Sequence, residues 1–277
     1  MARRSNPGFG QSPAFSNDPR DLDRWRASQA GGTTATMSAV ELQELYNQPS
    51  ATPRDTDRMT YEDTIAKTFG VFAVLLAGAV VGWVVPGIWI VGGIAGFVLA
   101  MVNIFKKRPS AALVLLYGAA EGLFVGGLSR VFDGIWPGIV PQAVFGTLGV
   151  FAITLALFAS GKVRASRRAT QIFLVAMVGY AAFSLVNFIL MLTGVTNSPF
   201  GLRSAEIYGI PIGFLLGIFV VIMAAYSLVL DFTQIKVGVE RGAPRVFGWQ
   251  AAFGLVVTIV WLYTEILRML ALLRGNN

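Results

Sequence analysis

The chain has 277 residues, of which 55% are hydrophobic and 13% charged, and its formal net charge is +7. A soluble domain carries about 25% charged residues, so this composition and the mean hydropathy of +0.63 exclude an ordinary water-soluble fold. Cysteine and histidine are absent, which excludes disulfides, thiol catalysis, Ser-His-Asp triads and histidine-based metal sites. The composition therefore indicates an integral membrane protein.

The first 58 residues differ from the rest of the chain, because they are rich in Ser, Gly, Pro, Asp and Arg and hold few large apolar side chains. Such a segment cannot bury enough apolar surface to fold alone, and it lacks the apolar stretch of a signal peptide. We therefore predict a disordered tail over residues 1–58 and a membrane domain over 59–277. Thr60 and Asp63 are spaced as the N-cap and first turn of a helix that enters the membrane.

Seven apolar runs follow, and each can supply the roughly 20 residues that cross ~30 Å of hydrocarbon. They cover approximately residues 68–85, 88–105, 110–132, 138–160, 169–194, 207–233 and 249–273. The first two are separated only by Val85-Pro86-Gly87, but together they are too long for one crossing. The pattern predicts an all-α bundle of seven membrane-spanning helices.

Basic residues occupy alternate breaks between the runs, at 106–108, 162–168 and 236–245, whereas the other breaks hold only Arg130 and Arg203. Basic loops stay on the cytoplasmic side of a membrane. The tail is thus predicted to be cytoplasmic and the C-terminus to lie outside. The basic residues that set this orientation also explain the high isoelectric point of the chain, so no nucleic-acid partner is predicted.

Glycines recur at four-residue intervals in three of the runs. They are Gly92 and Gly96 in the second, Gly118, Gly122 and Gly126 in the third, and Gly213 and Gly217 in the sixth. Small residues at this spacing let helices approach closely in lipid. The stripes predict close packing within one chain or, alternatively, between two copies, so the oligomeric state stays open.

Four ionisable residues lie inside the apolar runs: Glu121, Asp231, Glu265 and Arg268. An ionised side chain at the centre of a membrane costs about 2.5–3.5 kcal/mol on insertion scales, so such residues are candidates for function. Counted from the basic end of each run, Asp231 is the shallowest, and Glu121 and Glu265 lie deeper. The three acids are expected to form a staggered series across the membrane.

Each acid also has an alternative interpretation. Asp231 can pair with Lys236 near the membrane surface, and Glu265 can pair with Arg268 one turn away on the same helix. Glu121 has no basic residue within one turn, so it must be protonated, hydrogen-bonded to another helix or exposed to water. No nucleophile motif, phosphate-binding loop or metal-ligand spacing is present, and we expect neither an enzyme nor a bound cofactor.

Four strings of residues resemble the Bax-inhibitor membrane-protein family, in its bacterial, YccA-like branch. They are LDFTQIK at Leu230–Lys236, WLYTEILRML at Trp261–Leu270, YGAAEGLFVGG in the third run, and the segment from Met59 to Trp83. The resemblance extends over about residues 59–273. It implies a seven-helix bundle with the last helix at its centre, in a bacterial cytoplasmic (inner) membrane.

The resemblance also implies a function, because members of the family are described as pH-sensitive calcium leak channels gated by two aspartates in spans six and seven. Asp231 matches the first aspartate. The second position falls on Glu265 or on Thr258, depending on the alignment register. We therefore expect a Ca²⁺ or proton pathway gated by Asp231, with Glu121 and Glu265 as relay groups or transient Ca²⁺ ligands, since carboxylates suit this ion.

A different function is implied by relatives that are thought to regulate a membrane AAA protease. In that case the chain does not transport ions, and its cytoplasmic tail binds the protease or another membrane partner. The lipid bilayer is the expected environment under both hypotheses.

Overall fold

The computed structural model describes residues 20, 23–24, 57–196, 198 and 200–275, so the predicted disorder of residues 1–58 falls almost entirely outside the described residues. Seven long helices occur in this described part: α1 (Tyr61–Val84), α2 (Ile88–Phe105), α3 (Ala111–Ile135), α4 (Ile139–Ala159), α5 (Arg167–Leu192), α6 (Ile212–Glu240) and α7 (Phe247–Arg274). Each is long and apolar enough to cross a membrane, which confirms the predicted seven-helix membrane bundle.

The helices begin and end where the sequence allows it. Thr60 caps α1, and its side chain accepts a hydrogen bond from the backbone N–H of Asp63 at 3.1 Å, as predicted. Gly87 and Gly138, each directly after a proline, have φ of 80° and start α2 and α4. Glycine adopts this left-handed conformation without steric cost, so both connections are sharp turns.

The described part of the connection between α5 and α6 contains regular structure. It holds a short 3₁₀ helix (Gly201–Ser204) and a hairpin of two-residue strands, β1 (Glu206–Ile207) and β2 (Ile210–Pro211). The backbone N–H of Ile212 donates to the carbonyl oxygen of Ala205 at 2.7 Å. The connection therefore folds back over the start of α6 instead of extending away from it.

Contacts between connections show that successive helices alternate in direction. At one end of the bundle, the N–H of Met59 donates to the carbonyl oxygen of Ala243 in the α6–α7 connection at 2.6 Å. At the other end, the Arg274 guanidinium donates to the carbonyl oxygen of Pro137 in the α3–α4 connection at 2.9 Å. The basic segments that follow α2, α4 and α6 hence lie at the same end as Met59.

The last helix, α7, lies at the centre of the bundle. In its most apolar window 61% of residues are buried, against 17% in α1, α2 and α4 and 11% in α5. Its neighbours include α1, α3, α4 and α6, and buried α7 residues belong to the two largest apolar clusters. This agrees with the expectation that the last helix lies at the centre.

Helix α1 occupies the glycine stripe of α3. A Cβ atom added to Gly122 would overlap the backbone oxygen of Leu75, and one added to Gly126 would overlap that of Ala79. The first of the two packing alternatives is therefore correct for this stripe, because its close approach is made within one chain.

Candidate functional site

The carboxyl group of Asp231 lies inside the bundle, on α6, and the residue has no exposed surface. Its side chain accepts a hydrogen bond of 2.6 Å from the hydroxyl group of Thr258 on α7. The hydroxyl of Ser227, one turn earlier on α6, lies 3.4 Å from the Thr258 hydroxyl. A buried carboxyl group must be hydrogen-bonded to be tolerated, and here α7 supplies such a bond.

This contact bears on the two predictions for Asp231. Lys236 pairs with Glu240, at 3.6 Å, and Asp231 is fully buried. Of the two residues that compete for the second position of the family's acidic pair, Thr258 is the one in contact with Asp231. A hydroxyl group thus stands where the resemblance implies a second carboxyl group.

A second polar cluster surrounds Glu265, which is 1% exposed. The guanidinium groups of Arg203 and Arg268 bind its carboxylate, with N–O distances of 3.1 and 2.8 Å. The hydroxyl of Tyr180 on α5 donates to the same carboxylate at 2.8 Å. The predicted pairing of Glu265 with Arg268 is therefore present, but it is only one part of a network that joins three segments of the chain.

Sequence reasoning missed Tyr180 and Arg203 in this network, and Arg203 is the charged one of the two. It is 4% exposed, it also donates to the hydroxyls of Tyr180 and Ser184 at 3.0 and 3.2 Å, and its guanidinium lies 5.6 Å from the centre of the Phe183 ring. Its position in the sequence is that of an ordinary loop charge. The available signal was a single arginine in one of the connections that otherwise lack basic residues, because basic residues concentrate in the alternate connections.

Local structure holds Arg203 in place. The side-chain oxygen of Asn187 on α5 accepts a hydrogen bond from the N–H of Leu202 at 2.7 Å, which fixes the 3₁₀ helix. A Cβ atom on Gly213 of α6 would lie only 2.7 Å from the Arg203 carbonyl oxygen. Glycine at this position lets the connection pack directly against α6, which places the Arg203 guanidinium within reach of Glu265 on α7.

Thr258 and Glu265 lie on the same face of α7, because seven residues correspond to almost two full helical turns. The Asp231–Thr258 contact and the Glu265 network are therefore about 10 Å apart along one face of the central helix. The same heptad spacing explains why two alignment registers were possible. This face of α7 therefore carries hydrogen-bonded polar groups at two heights, one at Thr258 and one at Glu265.

Glu121 lies in a different part of the bundle. Its carboxylate and backbone face Gly96 of α2, where an added Cβ atom would come within 2.8 Å of the carboxylate oxygen. Its side chain also interacts with Tyr117, one turn earlier on α3, and the Tyr117 ring packs edge-on against Phe253 of α7 at 4.9 Å. The contacts of Glu121 are thus in the α2–α3 seam, whereas those of Asp231 and Glu265 involve α5, α6 and α7.

The described residues contain no group of three or more acidic side chains that could hold a metal ion together.

Comparison with known families agrees with this architecture. Residues 12–275 match the family described as Bax inhibitor 1 like, which extends the predicted resemblance of residues 59–273 in both directions. No curated protein matches the chain. The match is to the family as a whole, so the assignment to a bacterial branch stays a prediction. With its seven apolar helices, its central last helix and a family match over nearly the whole sequence, the chain is a multi-pass membrane protein that belongs to the Bax inhibitor 1 like family.

Proposed function

We propose that the chain is a pH-sensitive leak pathway for Ca²⁺ or protons, with Asp231 as its gate. The observation that carries the proposal is the complete burial of this carboxyl group between α6 and α7, where it accepts a hydrogen bond from the Thr258 hydroxyl. An acid at this depth is costly in a membrane, which favours a functional role. A hydroxyl group can both donate and accept, so this contact is compatible with either protonation state of Asp231.

In the closed arrangement the Thr258 hydroxyl donates to Asp231 and joins α6 to α7. An ionised carboxylate can only accept hydrogen bonds, whereas a protonated one also donates. A change of protonation therefore alters which of these two groups donates, and with it the hold of α6 on α7. This is the physical basis that we propose for the response to pH.

The Glu265 network forms the second barrier in the proposed pathway. Two guanidinium groups on one carboxylate leave a local excess of positive charge, which repels a cation in a medium of low dielectric constant. Arg203 is carried by the α5–α6 connection, whereas Glu265 is carried by the central helix. Passage of a cation hence requires the connection to move with respect to α7.

Calcium flux from proteoliposomes tests the role of Asp231. We expect Asp231→Asn to change the initial rate of Ca²⁺ release by about tenfold or more and to remove its pH dependence, because asparagine cannot exchange a proton. Glu121→Gln is the matched control, since Glu121 is also an intramembrane acid but contacts α2. It is expected to keep both the rate and the pH dependence.

Two results would overturn this assignment. If Asp231→Asn keeps the flux and its pH response, Asp231 is not the gate. If Glu121→Gln removes them and Asp231→Asn does not, the pathway runs along the α2–α3 seam.

The proposal also includes a location, and it includes no enzymatic reaction. We place the protein in the cytoplasmic (inner) membrane of a bacterium, with its N-terminus in the cytoplasm and its C-terminus outside. This is supported by the shared end of Met59 and the basic segments, which include Lys106, Lys162 and Lys236. We propose no enzymatic step and no bound cofactor, with the transported ion as the only ligand.

A second candidate function is regulation of a membrane AAA protease or another membrane partner through the N-terminal segment. It is favoured by the attachment of Asp57 and Met59 to the α6–α7 connection, which ties this segment to the helices that carry Asp231 and Thr258. Deleting residues 1–56 separates the two functions. We expect a leak pathway to keep its Ca²⁺ flux after the deletion, whereas a regulator would lose its partner in a pull-down from membranes.

A further inference from the structure

The chain enters the membrane domain through a short strap, which we define as residues 57–59. It runs antiparallel to the α6–α7 connection, with Arg58 opposite Pro244. The N–H of Met59 donates to the Ala243 carbonyl oxygen at 2.6 Å, and the N–H of Arg245 donates to the Asp57 carbonyl oxygen at 2.7 Å. The strap therefore lies along the connection that joins the two helices of the gate.

An ionic clasp, formed by Asp63, Lys67 and Arg245, holds the strap in place. The Arg245 guanidinium meets one carboxylate oxygen of Asp63: Nε donates to Oδ1 at 2.8 Å, and Nη2 lies 2.7 Å from the same oxygen. Lys67 donates to the same carboxylate and, at 2.6 Å, to the Arg245 carbonyl oxygen. Charge-assisted hydrogen bonds of this kind are stronger than neutral ones. The clasp thereby ties the first turns of α1 to the α6–α7 connection.

The clasp does not respond to physiological changes of pH through its arginine. The hydrogen bond from Arg245 to Asp63, together with the charge of that carboxylate, raises the pKa of Arg245 above its already high ordinary value. Because Arg245 is charged at every physiological pH, titration of this group does not release the strap.

Met59 makes the strap more than a surface feature. Its side chain is 2% exposed and belongs to the same apolar cluster as Phe232, Ile235 and Phe247. Phe232 follows Asp231 in the chain, and Ile235 lies one turn further toward the end of α6. Met59 consequently contributes to the packing that covers the end of the α6–α7 interface beyond Asp231.

We propose that the strap is a lid over this end of the α6–α7 interface, and that its displacement exposes the path to Asp231. This inference rests on the proposed function, because the lid controls access to the same gate.

Thiol labelling tests the lid directly, since the chain has no cysteine of its own. We use the full-length protein in membrane vesicles, with a single cysteine in place of Ile235, which is 8% exposed, and a maleimide that does not cross membranes. With the clasp intact we expect slow labelling. Adding Arg245→Gln is expected to raise the rate about threefold or more, because it removes the charge-assisted contacts with Asp63, and the half-exposed side chain of Arg245 limits what they contribute.

Two controls separate opening of the lid from other effects. Glu240→Gln breaks an exposed ion pair with Lys236 near the same end of α6, and it should leave the labelling of the thiol at position 235 unchanged. A cysteine in place of Val220, buried in the middle of α6, should stay protected with Arg245→Gln. Labelling at position 220 would mean general unfolding, and a response to Glu240→Gln would mean a nonspecific charge effect; either result overturns the lid.

Calcium flux then tests the link to Asp231. In the cysteine-free protein, Arg245→Gln is expected to raise the initial Ca²⁺ flux about threefold or more. Faster labelling at position 235 without an increase in flux would refute the link, provided that the unmodified protein conducts. If the unmodified protein does not conduct at all, the proposed function fails, but the labelling result still decides whether the strap is a lid.

Discussion

Replacing Arg203 by alanine is expected to lower the free energy of unfolding by about 1.5–3 kcal/mol, the usual contribution of a hydrogen bond to a charged group. Arg203 and Glu265 have side chains that are 5% and 2% exposed, so water does not replace the lost guanidinium. The change also removes two hydrogen bonds to the hydroxyls of Tyr180 and Ser184. Unfolding in mixed detergent micelles, followed by the fluorescence of the six tryptophans, measures the loss.

Arg130→Ala is the matched control for this loss. Arg130 is exposed and donates to the backbone oxygens of Trp83 and Val84, with no carboxylate in those contacts, so we expect a cost of about 1 kcal/mol or less. The Glu265 carboxylate keeps Arg268 and Tyr180 as partners in Arg203→Ala, so the measured loss reports on the contacts of Arg203 alone. Equal losses for Arg203→Ala and Arg130→Ala would contradict the role assigned to the network.

Replacing Thr258 by aspartate is expected to make the leak much more sensitive to pH. The change places a second carboxyl group beside Asp231, where the Thr258 hydroxyl now donates at 2.6 Å. Two carboxyl groups at this distance share one proton, since both cannot be ionised without strong repulsion. As pH rises the shared proton is lost and the charges push α6 and α7 apart, so we expect Ca²⁺ flux to increase about tenfold between about pH 6 and pH 8.

Thr258→Ser and Thr258→Val are the comparisons for this experiment. Serine keeps the hydroxyl donor and should preserve the wild-type pH response. Valine has nearly the same shape but leaves the Asp231 carboxyl without this hydrogen bond, which we expect to cost about 1–3 kcal/mol of stability. If Thr258→Asp has the same pH profile as Thr258→Ser, Thr258 and Asp231 do not act as a gating pair.

The sequence determined the number of helices, because each span depends on local hydropathy alone. Every run of about 20 apolar residues must satisfy its backbone hydrogen bonds within itself in lipid, so the seven helices could be read without knowledge of their partners. The cap at Thr60 and the turns at Gly87 and Gly138 were equally local. The basic connections likewise predict an orientation from a few consecutive residues.

The tertiary structure decided which polar groups meet. Periodicity placed Thr258 and Glu265 on one face of α7, but residues a heptad apart are equivalent in any local pattern, so only the packing of α6 against α7 could select Thr258 as the partner of Asp231. It also brought Arg203 to Glu265 across 62 residues and placed Glu121 against Gly96 of α2. Such contacts join distant segments, and their energies depend on burial and on the partner together. The sequence by itself therefore determined where this chain crosses the membrane and which acids are costly there, whereas the tertiary structure decided which groups each acid contacts.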